Sequence, residues 1–220
     1  MRKNLKTQVI QSIQRGSCIV GLGIVSLLLL SSPAFAHHPL DGRLPANMFE
    51  GLFSGLAHPV IGIDHLAFVI AAGLVGALMR RGIVIPIAFV LASLGGTGLH
   101  LWLFNLPAPE FMISVSILLF GLVLAVGKSL NLPAVAALGM MAGLFHGYAY
   151  GEAVVGADMT PLVAYLVGFA TIQLSISLGA WVLGESLLKA NAMKGQLHLR
   201  FMGFALCGVG AAVMSGVVLG

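Results

Sequence analysis

Two segments of this sequence carry side chains that bind divalent metal ions. One reads His58-Pro59-Val60-Ile61-Gly62-Ile63-Asp64-His65, the other Phe145-His146-Gly147-Tyr148-Ala149-Tyr150-Gly151-Glu152. Imidazole and carboxylate together suit first-row dications such as Ni²⁺, Co²⁺ and Zn²⁺. The carboxylates of Asp64 and Glu152 offset a double charge in a low dielectric. His58, Asp64, His65, His146 and Glu152 are therefore the candidate ligands. His100, which follows Gly95-Gly96-Thr97-Gly98, and His37 are further candidates. Spacing says what the backbone must do. On an unbroken helix His58 and His65 share a face about 10 Å apart, too far for one ion whose bonds are about 2 Å. Pro59 cannot donate a backbone bond and Gly62 accepts irregular backbone. An opened turn between them lets both histidines and Asp64 converge. The plainer alternative is a proline kink with His58 bonded to a neighbouring carbonyl.

The elements that must position these residues follow from composition. The chain has 220 residues, 59% hydrophobic and 8% charged, with a mean hydropathy of +1.03. An ordinary soluble domain is about 25% charged. So few charges exclude a soluble globular protein, a disordered tail, a disulfide-rich module and a nucleic-acid binder. Long apolar runs, not short alternating ones, point to helices in a bilayer. The expected fold is all-α, a polytopic membrane helix bundle. Six spans of about 20 residues are expected over 49–79, 83–104, 111–126, 134–150, 161–188 and 199–219. They follow a cleavable signal peptide over residues 1–36: a basic start, an apolar core from Cys18 to Leu30, and Ser31-Ser32-Pro33-Ala34-Phe35-Ala36. The alternative is an uncleaved first helix. Cleavage makes residues 37–220 the six-helix transmembrane domain and exposes His37, whose α-amine and ring nitrogen form one chelate that could gather ions. Cys207 is then the only thiol, which leaves no intramolecular disulfide and no cysteine-rich metal site.

Charge sets the expected orientation. If residue 37 starts outside, Arg80, Arg81, Lys128, Lys189, Lys194 and Arg200 fall inside and only Arg43 outside. Both mature termini are then extracytoplasmic, in a bacterial-type cytoplasmic membrane. In that topology His58, Asp64, His65, His100, His146 and Glu152 all lie in the outer half of the bilayer. An Asp at a helix centre costs about 2.5–3.5 kcal/mol on insertion scales, and ionisable groups inside a membrane mark function. Trp102 and Trp181 suit the interfaces. Gly143, Gly147 and Gly151, four residues apart, read as a close-packing stripe. The ten Met read as packing residues. Gln173 and Ser177 share a face of span five and either line an exit or bond between helices. The chain has no nucleotide-binding or zinc-protease motif.

These motifs resemble those of the HupE/UreJ family of nickel and cobalt permeases. Its first helix carries His, five residues and Asp-His, matched by His58, Asp64 and His65. Its fourth carries Phe-His-Gly-x-Ala-x-Gly and then Glu, matched by Phe145, His146, Gly147, Ala149, Gly151 and Glu152. One departure is that Glu152 directly follows Gly151, where the family's Glu stands one place further on. The signal peptide, the histidine behind it and the six spans also fit. The resemblance implies uptake of Ni²⁺ or Co²⁺ without ATP, no prosthetic group, and no enzymatic activity. The competing readings are an intramembrane metal-dependent hydrolase and a metal-delivery accessory subunit. No nucleic-acid or nucleotide partner is expected.

Overall fold

A computed structural model describes residues 43–127 and 131–220. The signal peptide expected over 1–36, and His37 and Lys128, lie outside the described residues. The described residues form seven helices and no strand: α1 Met48–Ile61, α2 Ile63–Ala77, α3 Val84–Leu101, α4 Pro109–Val126, α5 Leu132–Glu152, α6 Met159–Ala190 and α7 Ala192–Leu219. Helices α3 to α7 are each long and apolar enough to cross a membrane. The bent pair α1 and α2 passes the same test as one broken unit, which gives up to six spans.

Local chemistry explains where α1 begins and ends. Asn47 caps it by accepting the Glu50 N–H at 3.0 Å, and the Glu50 carboxylate accepts from Ala46 N and Arg43 Nη1, both at 2.9 Å. This is a variant of the capping box, with the carboxylate reaching back to the N–H of the residue before the cap. The helix runs through Pro59 rather than breaking there. The carbonyl four residues earlier belongs to Gly55, which is packed so tightly on α6 that a Cβ would stand 2.2 Å from the Tyr165 carbonyl oxygen. The opening comes at Gly62, whose extended backbone (φ −72°, ψ 104°) turns α2 by 79° from α1.

Helix α2 is the centre of the bundle. It packs against α3, α4, α6 and α7. Phe68, Val69, Ala71, Ala72, Leu74 and Val75 bury successive positions all round it, which is why its sequence shows no polar face. Around it, α3 pairs with α5 through the expected glycine stripe. A Cβ on Gly143 would stand 2.4 Å from the Phe89 carbonyl oxygen, and one on Gly147 would stand 1.9 Å from that of Ser93. Such approach is open only to small residues.

The last helix starts earlier than its apolar run predicts, at Ala192 rather than at residue 199. Asn191 caps it by accepting the Lys194 N–H at 2.9 Å. The polar first turns then serve α4. Arg200 Nε donates to the Ala125 carbonyl at 2.9 Å and Gln196 Nε2 to that of Gly127 at 3.2 Å, satisfying carbonyls that a helix C-terminus leaves open.

Candidate metal centre

The Gly62 break decides the geometry. It brings the His58 and His65 rings to 5.8 Å between centroids, edge to face. Asp64 lies in the first turn of α2, where its carboxylate accepts the His65 N–H at 2.8 Å. No side chain fits at residue 62 without displacing these groups: a Cβ there would stand 2.7 Å from His65 Cδ2 and 3.0 Å from Asp64 Oδ1. His58, at the end of α1, and His65, at the start of α2, are both buried.

His146 reaches the same place from α5. Its Nδ1 stands 2.9 Å from His65 Nδ1, and its Nε2 stands 3.1 Å from Ser116 Oγ on α4. The ring has no solvent exposure and lies between Phe68 at 4.7 Å and Phe89 at 5.6 Å. Tyr150, one turn further along α5, covers the other two imidazoles at 4.9 Å (His58) and 4.4 Å (His65). His58 Nδ1 meets the Tyr165 hydroxyl of α6 at 2.6 Å, and that hydroxyl donates to the Tyr150 carbonyl at 3.0 Å. Three imidazoles from α1, α2 and α5 thus meet in one buried cluster, closed by hydroxyls from α4 and α6, with the half-buried Asp64 carboxylate beside it at the start of α2. Among the described residues, no three His, Cys, Asp or Glu side chains are arranged as they stand to hold one ion. The imidazoles are engaged with one another and with hydroxyls.

A family profile described as HupE / UreJ protein matches residues 25–213. The chain belongs to the HupE/UreJ family. It is similar to Protein HupE of Rhizobium leguminosarum bv. viciae, with 29% identity over 195 residues that cover 87% of this chain and 95% of that protein. No solved structure matches it. Membership and the apolar helices make the chain a multi-pass membrane protein of a transport and accessory family that handles nickel and cobalt.

The remaining expected residues of this HupE/UreJ protein take different places. His100 Nδ1 donates to the Tyr148 carbonyl at 2.8 Å and its ring lies on Tyr148 at 4.3 Å, so it ties the end of α3 to α5. Glu152 is exposed at the end of α5. Gln173 and Ser177 are fully buried. Gln173 Oε1 accepts from Ser93 Oγ of α3 at 3.0 Å, while Ser177 Oγ donates to the Gln173 carbonyl of its own helix at 2.7 Å. Interhelical bonding therefore holds for Gln173 and not for Ser177. Sequence reasoning did not select Ser116 or Tyr165. Their only sequence signal is a hydroxyl inside an apolar span, which needs a partner there.

Proposed function

We propose that the chain is a permease that takes up Ni²⁺ or Co²⁺ across the cytoplasmic membrane, with the ion losing water at the Gly62 break. His58, Asp64 and His65 form the heart of the site, and His146 completes it from α5. Glu152, exposed at the end of α5, assists as a second carboxylate on the approach, with His100 and the mature N-terminal His37 as further contributors. The observation that carries this reading is the convergence of two imidazoles and a carboxylate at a helix break, backed by a third imidazole from another helix. Broken helices with binding groups at the break are a recurring device of secondary transporters. Family membership supports the choice of nickel and cobalt. The distribution of basic residues supports an orientation with both mature termini outside and the loops after α2, α4 and α6 inside.

The test is uptake of radiolabelled Ni²⁺ and Co²⁺ into proteoliposomes that contain only this protein, with Zn²⁺ and Mn²⁺ as competitors. Saturable uptake that Asp64→Asn and His65→Ala abolish is expected. Uptake that both variants leave unchanged refutes the site.

A further inference from the structure

The two hydroxyls that close the cluster decide where its protons lie. A tyrosine or serine hydroxyl has one hydrogen to donate and lone pairs with which to accept. Tyr165 gives its hydrogen to the Tyr150 carbonyl at 3.0 Å. The 2.6 Å contact with His58 therefore needs a proton on His58 Nδ1. A neutral imidazole has one N–H and one lone pair, so the His58 lone pair lies on Nε2. The same rule orders the other branch. Ser116 gives its hydrogen to the Ile113 carbonyl at 2.6 Å, so across the 3.1 Å contact His146 Nε2 is the donor. The His146 lone pair is then on Nδ1, which accepts from His65 Nδ1 at 2.9 Å. His65, like His58, keeps its lone pair on Nε2. The Cδ2 edge of His65, which adjoins Nε2, is the edge that faces Gly62.

We propose that Ser116 and Tyr165 are positioning residues for the ion site, and that in this arrangement His146 serves it by relaying Ser116 to His65. The proposal rests on the site assigned above. Two hydrogen-bond chains of fixed direction serve the break. One runs from His65 through His146 and Ser116 to the Ile113 carbonyl of α4; the other runs from His58 through Tyr165 to the Tyr150 carbonyl of α5. A metal-ligating histidine characteristically donates its other ring N–H to an acceptor, which fixes the tautomer and raises the basicity of the ligating nitrogen. Here that acceptor is another imidazole for His65 and a phenol oxygen for His58. Each is in turn locked by a single backbone carbonyl.

The experiment is ¹⁵N NMR of the histidine rings in the ion-free full chain in lipid nanodiscs, paired with Ni²⁺ uptake kinetics in proteoliposomes. Protonated and unprotonated ring nitrogens resonate far apart. The expected spectrum has His58 and His65 protonated at Nδ1 and His146 at Nε2. Ser116→Ala mixes the tautomers of His65 and His146 and raises the KM for Ni²⁺ about tenfold, the lower end of such effects, with a smaller change in maximal rate. Ser116→Thr restores both readouts. Tyr165→Phe mixes the His58 tautomers and raises KM in the same way. Ser114→Ala removes a hydroxyl that, among the described residues, bonds only to the Phe111 carbonyl in the same helix and leaves both readouts unchanged. His65 protonated at Nε2, or a Ser116→Ala variant with unaltered KM, overturns the proposal. The spectrum needs no ion. A chain that shows these three tautomers and carries no metal therefore defeats the transport reading and confirms the proton assignment.

Discussion

Replacing Gly62 by alanine separates positioning of the site from stability of the fold. The backbone at residue 62 (φ −72°, ψ 104°) suits alanine, so no torsional penalty enters. The added methyl would instead stand 2.7 Å from His65 Cδ2 and 3.0 Å from Asp64 Oδ1. Ordinary van der Waals contact begins at 3.4 Å, so the ring must move by about 0.7 Å and the carboxylate by about 0.4 Å. A shift of that size breaks or bends the 2.9 Å bond from His65 to His146. Misplacing a binding group by about 1 Å costs on the order of a hundredfold, so Gly62→Ala is expected to reduce Ni²⁺ uptake between ten- and a hundredfold. Stability moves little. Overpacking costs about 1–3 kcal/mol, and the lost freedom of the unfolded chain returns about 0.4–1 kcal/mol. Proteoliposome uptake, normalised to folded protein from a thermal-stability assay in detergent, measures both. A Gly62→Ala chain with native uptake would falsify the claim that the break shapes the site. A loss of uptake that merely tracks a loss of folded protein would refute it equally.

Asp64→Asn keeps the size and the hydrogen-bond acceptor but removes the charge, and is expected to abolish saturable uptake in the same assay while the folded fraction stays within about 1 kcal/mol of native. Gly147→Ala should be among the most damaging glycine changes, because its methyl would stand 1.9 Å from the Ser93 carbonyl oxygen. It is expected to destabilise by at least about 3 kcal/mol, seen as a large drop in thermal midpoint. Gly179→Ala, in open space within α6, should be neutral or stabilising by about 0.5–1 kcal/mol. Glu185→Gln breaks an exposed pair with Lys189 and should shift the thermal midpoint negligibly, since such pairs contribute about 0.3–0.5 kcal/mol.

Much of this was legible because membranes simplify the reading. Apolar runs gave the helices, since no other open structure satisfies its backbone in lipid. Spacing alone also required His58 and His65 to be joined by a break, because a continuous helix holds them apart. The position of that break was not legible. Proline signals a lost donor, yet α1 continues through Pro59 to Ile61 and opens only at Gly62. The start of α7 was missed because Lys194, His198 and Arg200 look like a loop in a hydropathy trace. Asn191 and the open carbonyls at the end of α4 make them helical. Ser116 and Tyr165 were out of reach for another reason. A lone hydroxyl in an apolar run can bond its own helix, as Ser114 does, and only tertiary packing shows which hydroxyls face an imidazole.

The break also explains why the residue beside His65 is an acid. A helix presents roughly half a positive charge at its N-terminus and half a negative charge at its C-terminus. The 79° turn at Gly62 sets the C-terminal end of α1, with His58, next to the N-terminal end of α2, with His65. The first end favours a cation and the second opposes it. With neutral imidazoles alone, a dication would leave water and meet the positive end of α2 with no counter-charge from that helix. Two unit charges 4 Å apart interact by about 4 kcal/mol at an effective dielectric of 20, so the full charge of Asp64 acts about twice as strongly as the half charge it adjoins. Accepting the His65 N–H at 2.8 Å also satisfies one of the open donors of α2. A histidine at 64 could ligate an ion but could neither cancel that field nor accept that N–H as a carboxylate does. The arrangement therefore asks of residue 64 a negative charge first and a ligand atom second.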